Sequence, residues 1–165
     1  MANSKTTAII NFLQTCPVII DNPLFFNFGN IEDNAHQIIT KSDDISLQKP
    51  FIDGSILKRY TVSIDSFKSI AYNPIIAEED GQGVTYFIDE NSTEFAEVLE
   101  LLEWINEQDE LHNYPDFGTD CIIDEMKVLT SKPEIMGVNT SLNPPMVIYR
   151  ITLRIDYLDN SKKIT

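Results

Sequence analysis

From Leu57 to Phe67 the chain alternates, with Tyr60, Val62 and Ile64 on one side and Thr61, Ser63 and Asp65 on the other. Period-two patterning with β-branched residues predicts a strand with one buried face. The pattern returns from Met146 to Leu158, where Val147, Tyr149, Ile151, Leu153, Ile155 and Tyr157 share a face opposite Arg150, Thr152, Arg154 and Asp156. A run of that length predicts a central strand. Shorter strands are expected at Leu24 to Phe28, His36 to Thr40 and Cys121 to Thr130.

Two segments follow a helical period instead. Ala8, Ile9, Phe12 and Leu13 share a face within residues 5–15, and Cys16-Pro17 ends the run, because the residue before a proline is pushed out of helical conformation. Asn91 and Glu94 fit a capping box, after which Phe95, Val98, Leu99, Leu102 and Ile105 recur at intervals of three and four. That helix is expected from Ser92 to Leu111. Residues 73–92 contain Pro74, Gly81 and Gly83 and read as exposed loop, with at most a short strand from Thr85 to Ile88. Pro133, Gly137 and Pro144-Pro145 mark another loop before the last strand. The order of helix, strands, helix, strands, joined by tight turns, predicts an α+β fold. Its expected form is an antiparallel β-sheet with two α-helices packed on one face, in one domain over residues 1–165.

Composition narrows the function. Twelve Lys and Arg against 26 Asp and Glu give a formal charge of −14, and 42% of residues are hydrophobic. The apolar share is enough for a 165-residue chain to build a core. The charge speaks against tight non-specific binding to nucleic acid, which draws its affinity from Lys and Arg displacing counterions, and against an anionic membrane surface. Asn11, Gln14 and Thr15 make the start too polar for a signal peptide, so a soluble, unexported protein is expected. Cys16 and Cys121 are expected to be free thiols packed in the core.

A search for catalytic chemistry finds little. His36 and His112 have no His, Cys or carboxylate at metal-ligand spacing and read as solvated. None of the six glycines lies in a GxGxxG or Walker pattern, and the acidic triplet Glu78, Glu79 and Asp80 lacks EF-hand spacing. No catalytic, metal or cofactor-binding residue is assigned. The charge pattern of the second helix is the unusual feature: nine acids and no Lys or Arg from Asp89 to Glu110. Glu103 and Glu107 repel each other one turn apart. Such a face is either simply solvated, or meets a basic partner or lines a space that must repel phosphate.

Four segments, AIINFLQTCPVI, PFIDGSILKRYTVSI, LLEWINEQDELHNYPDFG and YRITLRIDYL, occur in order between about residues 4 and 158. Together they resemble the small minor capsid proteins of tailed phages and prophages of Gram-positive bacteria, regarded as tail terminators or head-tail joining proteins. The FIDGSILK block and the Trp104 helix followed by NYPDFG are the most specific pieces. The resemblance implies a structural virion protein, not an enzyme, without cofactor. It implies a homo-oligomeric ring, usually hexameric, that caps the tail tube, ends tail polymerisation and joins the tail to the head connector. Its place would be the virion tail or neck, after assembly in the bacterial host cytoplasm. The implied partners are copies of itself, the tail tube protein and the connector or neck protein. DNA would pass through without specific binding, and no membrane is involved.

Within that frame Phe51, Ile52 and Asp53 of PFIDGS and Tyr114, Pro115, Asp116 and Phe117 of YPDFG are candidate subunit-interface residues, being apolar or aromatic residues and their neighbours in turns. Glu78, Glu79 and Asp80 are the candidate lumen-facing acidic loop, where carboxylates would repel phosphate. The charge fits one other class equally well: an acidic monomeric binding module, such as a DNA mimic or an inhibitor of a basic protein.

Overall fold

The computed structural model describes residues 4–27, 32–69, 75–79, 85–88, 92–139, 141, 142 and 144–164. Along the chain run α1 (Ser4–Leu13), β1 (Leu24–Phe26), β2 (His36–Ser46), β3 (Ile56–Ser69), β4 (Ile75–Glu79) and β5 (Thr85–Ile88). They are followed by α2 (Ser92–Glu110), β6 (Cys121–Val128), β7 (Glu134–Asn139) and β8 (Met146–Asp159). Six strands form one sheet in the order β1-β2-β3-β8-β6, with β7 also paired to β8, while β4 and β5 make a separate two-stranded sheet. The α+β class expected from the element order is what the chain adopts.

The spine is the β3–β8 ladder, paired without interruption from Ile56 opposite Asp159 to Ser69 opposite Met146. Its register phases the two alternations against each other. Tyr60, Val62 and Ile64 stand opposite Ile155, Leu153 and Ile151, all six almost completely buried in the main core. Each such side chain contributes about 1.5–3 kcal/mol by leaving water. On the other face Arg59 stands opposite Asp156 and Asp65 opposite Arg150. Both are two-pronged guanidinium–carboxylate pairs, at 2.8 and 3.0 Å for the first and 2.6 and 2.9 Å for the second. A slip of one residue would turn these charges toward the core, so the register is fixed from both faces.

The helices cover the apolar face. α1 supplies Ala8, Ile9, Phe12 and Leu13, and α2 supplies Val98, Leu101, Leu102 and Ile105. The Phe12 and Trp104 rings join the two helices at 5.1 Å, and Phe95 meets Tyr149 edge-on at 5.9 Å. α1 begins over the Ile56/Asp159 end of the ladder, where the Thr6 hydroxyl lies 3.0 Å from that of Tyr60. α2 begins over the opposite end, where Glu97 accepts a bond from Lys68 at 2.5 Å. It closes on a left-handed residue, His112 (φ 54°), with Asn113 N–H bonded to the Gln108 carbonyl and His112 N–H to that of Asp109. That is a Schellman ending with histidine where glycine is usual.

Four expectations change. The sheet is not wholly antiparallel, because β1 pairs with β2 in parallel, Leu24 opposite His36. Asn27, just after β1, ties this edge to β2, its side chain accepting the Thr40 N–H at 3.1 Å. Residues 73–92, read mainly as loop, contain the antiparallel β4–β5 pair, Ile75 opposite Ile88. The stretch around Gly137, also read as loop, contains β7, which continues along β8 the edge that β6 begins, with a register shift between Ile135 and Gly137. His36, read as solvated, is fully buried. Its Nδ1 lies 2.8 Å from Ser66 Oγ, and burial, followed by the charge of Lys68, lowers its pKa to about 4. His112 is exposed, and Cys16 and Cys121 are not joined in a disulfide, the first fully buried and the second half-buried against the main core.

A candidate subunit interface

The β2–β3 connection makes a built tip rather than a slack loop. Leu47 N–H bonds to the Leu57 carbonyl, Phe51 N–H to that of Ser55 at 2.8 Å, and Gly54 N–H to that of Phe51 at 2.9 Å. Asp53 Oδ1 accepts both the backbone N–H and the hydroxyl of Ser55, at 3.0 and 2.6 Å. Those two bonds, followed by the charge of Lys163, hold the Asp53 carboxyl below the usual range. Gly54 is required twice over. Its φ is +86°, and a Cβ there would stand 2.3 Å from the Lys162 carbonyl oxygen. Residues 160–164 fold back onto the tip, with Ile164 N–H bonded to the Asp53 carbonyl at 2.6 Å and Lys163 Nζ 3.6 Å from Asp53 Oδ2.

This scaffold carries apolar side chains into solvent. Ile52 is fully exposed, Phe51 is 46% exposed and Ile164 is 73% exposed. Lys49, Lys162 and Lys163 stand in the same segments and are also exposed.

The second candidate segment turns two of its four side chains inward. Phe117 is buried, its ring edge-on to Tyr60 at 6.0 Å and to Tyr157 at 5.4 Å. Pro115 is buried too. Tyr114 is half-buried and donates its hydroxyl to Asp109 Oδ1 at 2.8 Å. Burial and that bond push its pKa up to about 12. Asp109 Oδ1 also accepts the Met126 N–H at 2.9 Å, which ties the end of α2 to β6. Asp116 is exposed and accepts the Gly118 N–H at 2.9 Å. The fold thus brings Phe51 to Asp53 and Tyr114 to Phe117 toward the same end of the ladder; the first group holds the more exposed apolar side chains, while Tyr114, Pro115 and Asp116 line an open cavity of about 550 Å³ against α1.

Glu78 and Glu79 lie at the end of β4, opposite the start of β5, where Glu79 pairs with Thr85. Asp80 lies outside the described residues.

Two further features carried no clear signal in the sequence. A groove of about 390 Å³ opens between the chain after α1 and the outer face of α2. Its walls are Cys16, Pro17, Val18 and Trp104, and its rim is Glu100, Glu103 and Glu107. All three glutamates are exposed. Burial pushes the Cys16 thiol up, which suits packing and not nucleophilic work. The second feature is β7, on which Ile135, Met136 and Val138 are exposed. Among the described residues no group of three or more His, Cys, Asp or Glu is arranged to hold a metal ion, and no helix is long and apolar enough to cross a membrane. No family model matches the chain, and no curated protein matches it significantly.

Proposed function

We propose that this chain is a structural subunit of the tail-terminator or head-tail joining class, acting as a ring that caps a phage tail tube and meets the head connector. The observation that carries this reading is the tip. A turn closed by five hydrogen bonds and braced by the folded-back residues 160–164 holds Ile52 fully in water beside Phe51 and Ile164. Order of this kind beneath exposed apolar side chains marks a surface made to be covered by protein. The four segments that resemble minor capsid proteins support the same reading, with FIDGSILK supplying the tip itself. A charge of −14 on each subunit suits a channel that lets DNA through without holding it, and Glu78, Glu79 and Asp80 are the residues assigned to that lumen.

The test is assembly of the full chain, followed by native mass spectrometry and electron microscopy alone and with a tail tube protein. Rings, expected with six copies, that bind tube ends and stop their growth are the expected result. A monomer that leaves tube growth unchanged would overturn the reading, and tight one-to-one binding of that monomer to a purified basic protein would establish the acidic binding module in its place.

A further inference from the structure

We infer that the tip of one copy seats in the Val18–Trp104 groove of the next, an inference that rests on the ring reading and names its contact. The two surfaces are opposite in form and in charge. The tip projects Phe51, Ile52 and Ile164, with Lys49, Lys162 and Lys163 beside them and Asp53, 3.6 Å from Lys163, offsetting one of those three charges. The groove is concave, has Pro17, Val18 and Trp104 as its apolar walls, and is rimmed by Glu100, Glu103 and Glu107. At about 390 Å³ it lies at the small end of the ~300–1,000 Å³ typical of binding pockets, which is room for a few side chains. α2 has no Lys or Arg along its whole length to neutralise the rim from within.

The two surfaces do not meet inside one molecule, since no tip residue lines the groove. The tip stands before Ile56, at one end of the β3–β8 ladder. The groove runs along α2 from Glu107 to Glu100 and adjoins, through Pro17, Val18 and Glu100, the cavity that contains Lys68. Each surface is therefore left to a second copy. A contact between two different surfaces of identical chains is heterologous, so every copy that accepts a tip still offers its own. Such a contact propagates until the rotation closes a ring. The apolar side chains anchor it, while the lysines and glutamates steer the approach and fix the orientation.

Two experiments test the contact. In the first, an equal mixture of ¹⁴N and ¹⁵N full-length chain is treated with a carbodiimide, which joins only touching ammonium and carboxylate groups. Mixed-isotope links from Lys49, Lys162 or Lys163 to Glu100, Glu103 or Glu107 are expected. The second mixes two defective variants, Ile52→Asp with an intact groove and Glu103→Lys/Glu107→Lys with an intact tip. Each alone should associate about 30-fold more weakly or worse, the loss typical of an interface anchor. Mixed, they should form pairs that stop at two chains, because only one tip and one groove remain competent. All these substitutions are on exposed side chains, and unchanged circular dichroism confirms the fold. Assembly that survives both variants would overturn the contact and leave the ring reading standing. A wild-type chain that neither assembles nor gives the mixed-isotope links would overturn both.

Discussion

His36 makes stability depend on pH in a way that can be computed from its surroundings. The side chain is fully buried, Nδ1 reaches Ser66 Oγ at 2.8 Å, and Nε2 has no hydrogen-bond partner among the described residues. A neutral ring with its proton on Nδ1 leaves Nε2 as a bare acceptor. Protonation would place an unpaired, charged N–H in the core beside the Lys68 ammonium. The folded pKa accordingly falls to about 4 from 6.5, by burial first and by Lys68 second. Above pH 6.5 both folded and unfolded chains hold the ring neutral, and stability is complete. As pH falls below 6.5 the unfolded chain takes up the proton first, so stability declines until about pH 4, where the folded chain takes it too. At about 1.36 kcal/mol per pH unit, the gap from 6.5 to 4 amounts to about 3 kcal/mol. Asp53 and Asp159, both held below the usual carboxylate range, lose their contributions at lower pH still. Urea denaturation from pH 7.5 to 4.5 should show this loss in the wild type and not in His36→Asn, whose amide takes the Nδ1 position toward Ser66. Equal slopes in the two proteins, or a histidine NMR titration placing folded His36 near 6.5, would refute the reasoning.

Arg150→Met should destabilise the fold by about 3 kcal/mol, because Asp65, only 3% exposed, loses both bonds of its guanidinium partner. The double variant Asp65→Asn/Arg150→Met should recover much of that loss in the same urea assay, and a single-variant cost below about 1 kcal/mol would show the pair to be unimportant. Gly54→Ala should drive residues 160–164 off the tip, since the new Cβ would collide with the Lys162 carbonyl. Hydrogen exchange would then quicken at the Ile164 amide while the β3 and β8 amides keep their protection, and unchanged exchange at Ile164 would contradict it.

What could be read from the sequence was set by whether a residue's partner is local. β3, β8 and α2 announce themselves because alternation or helical spacing is carried by the segment itself, as with Tyr60, Val62 and Ile64. β7 does not, because Gly137 interrupts its pattern and its pairing comes wholly from β8. The parallel pairing of β1 is likewise a matter of where β2 returns. His36 looked solvated because the groups that bury and discharge it, Ser66 and Lys68, are about 30 residues away. At the candidate site, Phe51 and Ile52 stood out as apolar residues in a turn. Ile164 did not, since its place on the tip depends on the fold-back to Asp53. Phe117 looked the same as Phe51 in sequence, and only the rings of Tyr60 and Tyr157 draw it inward.

The position of β8 in the chain has a consequence for how the protein is made. It lies inside the large sheet, between β3 on one side and the β6 and β7 edge on the other, yet it comes after the other described strands in sequence. Among the described residues β6 and β7 pair with β8 alone, and β3 has it as a partner along its whole length. During synthesis these three strands emerge before the strand that joins them, with open edges that would pair with whatever strand they meet. The sheet is therefore completed in a late, concerted step that closes a loop of some 80 to 100 residues, which places folding among slow non-local topologies at about milliseconds to seconds. Losing the last strand would not trim an edge from this molecule. It would remove the element on which both halves of the sheet are built.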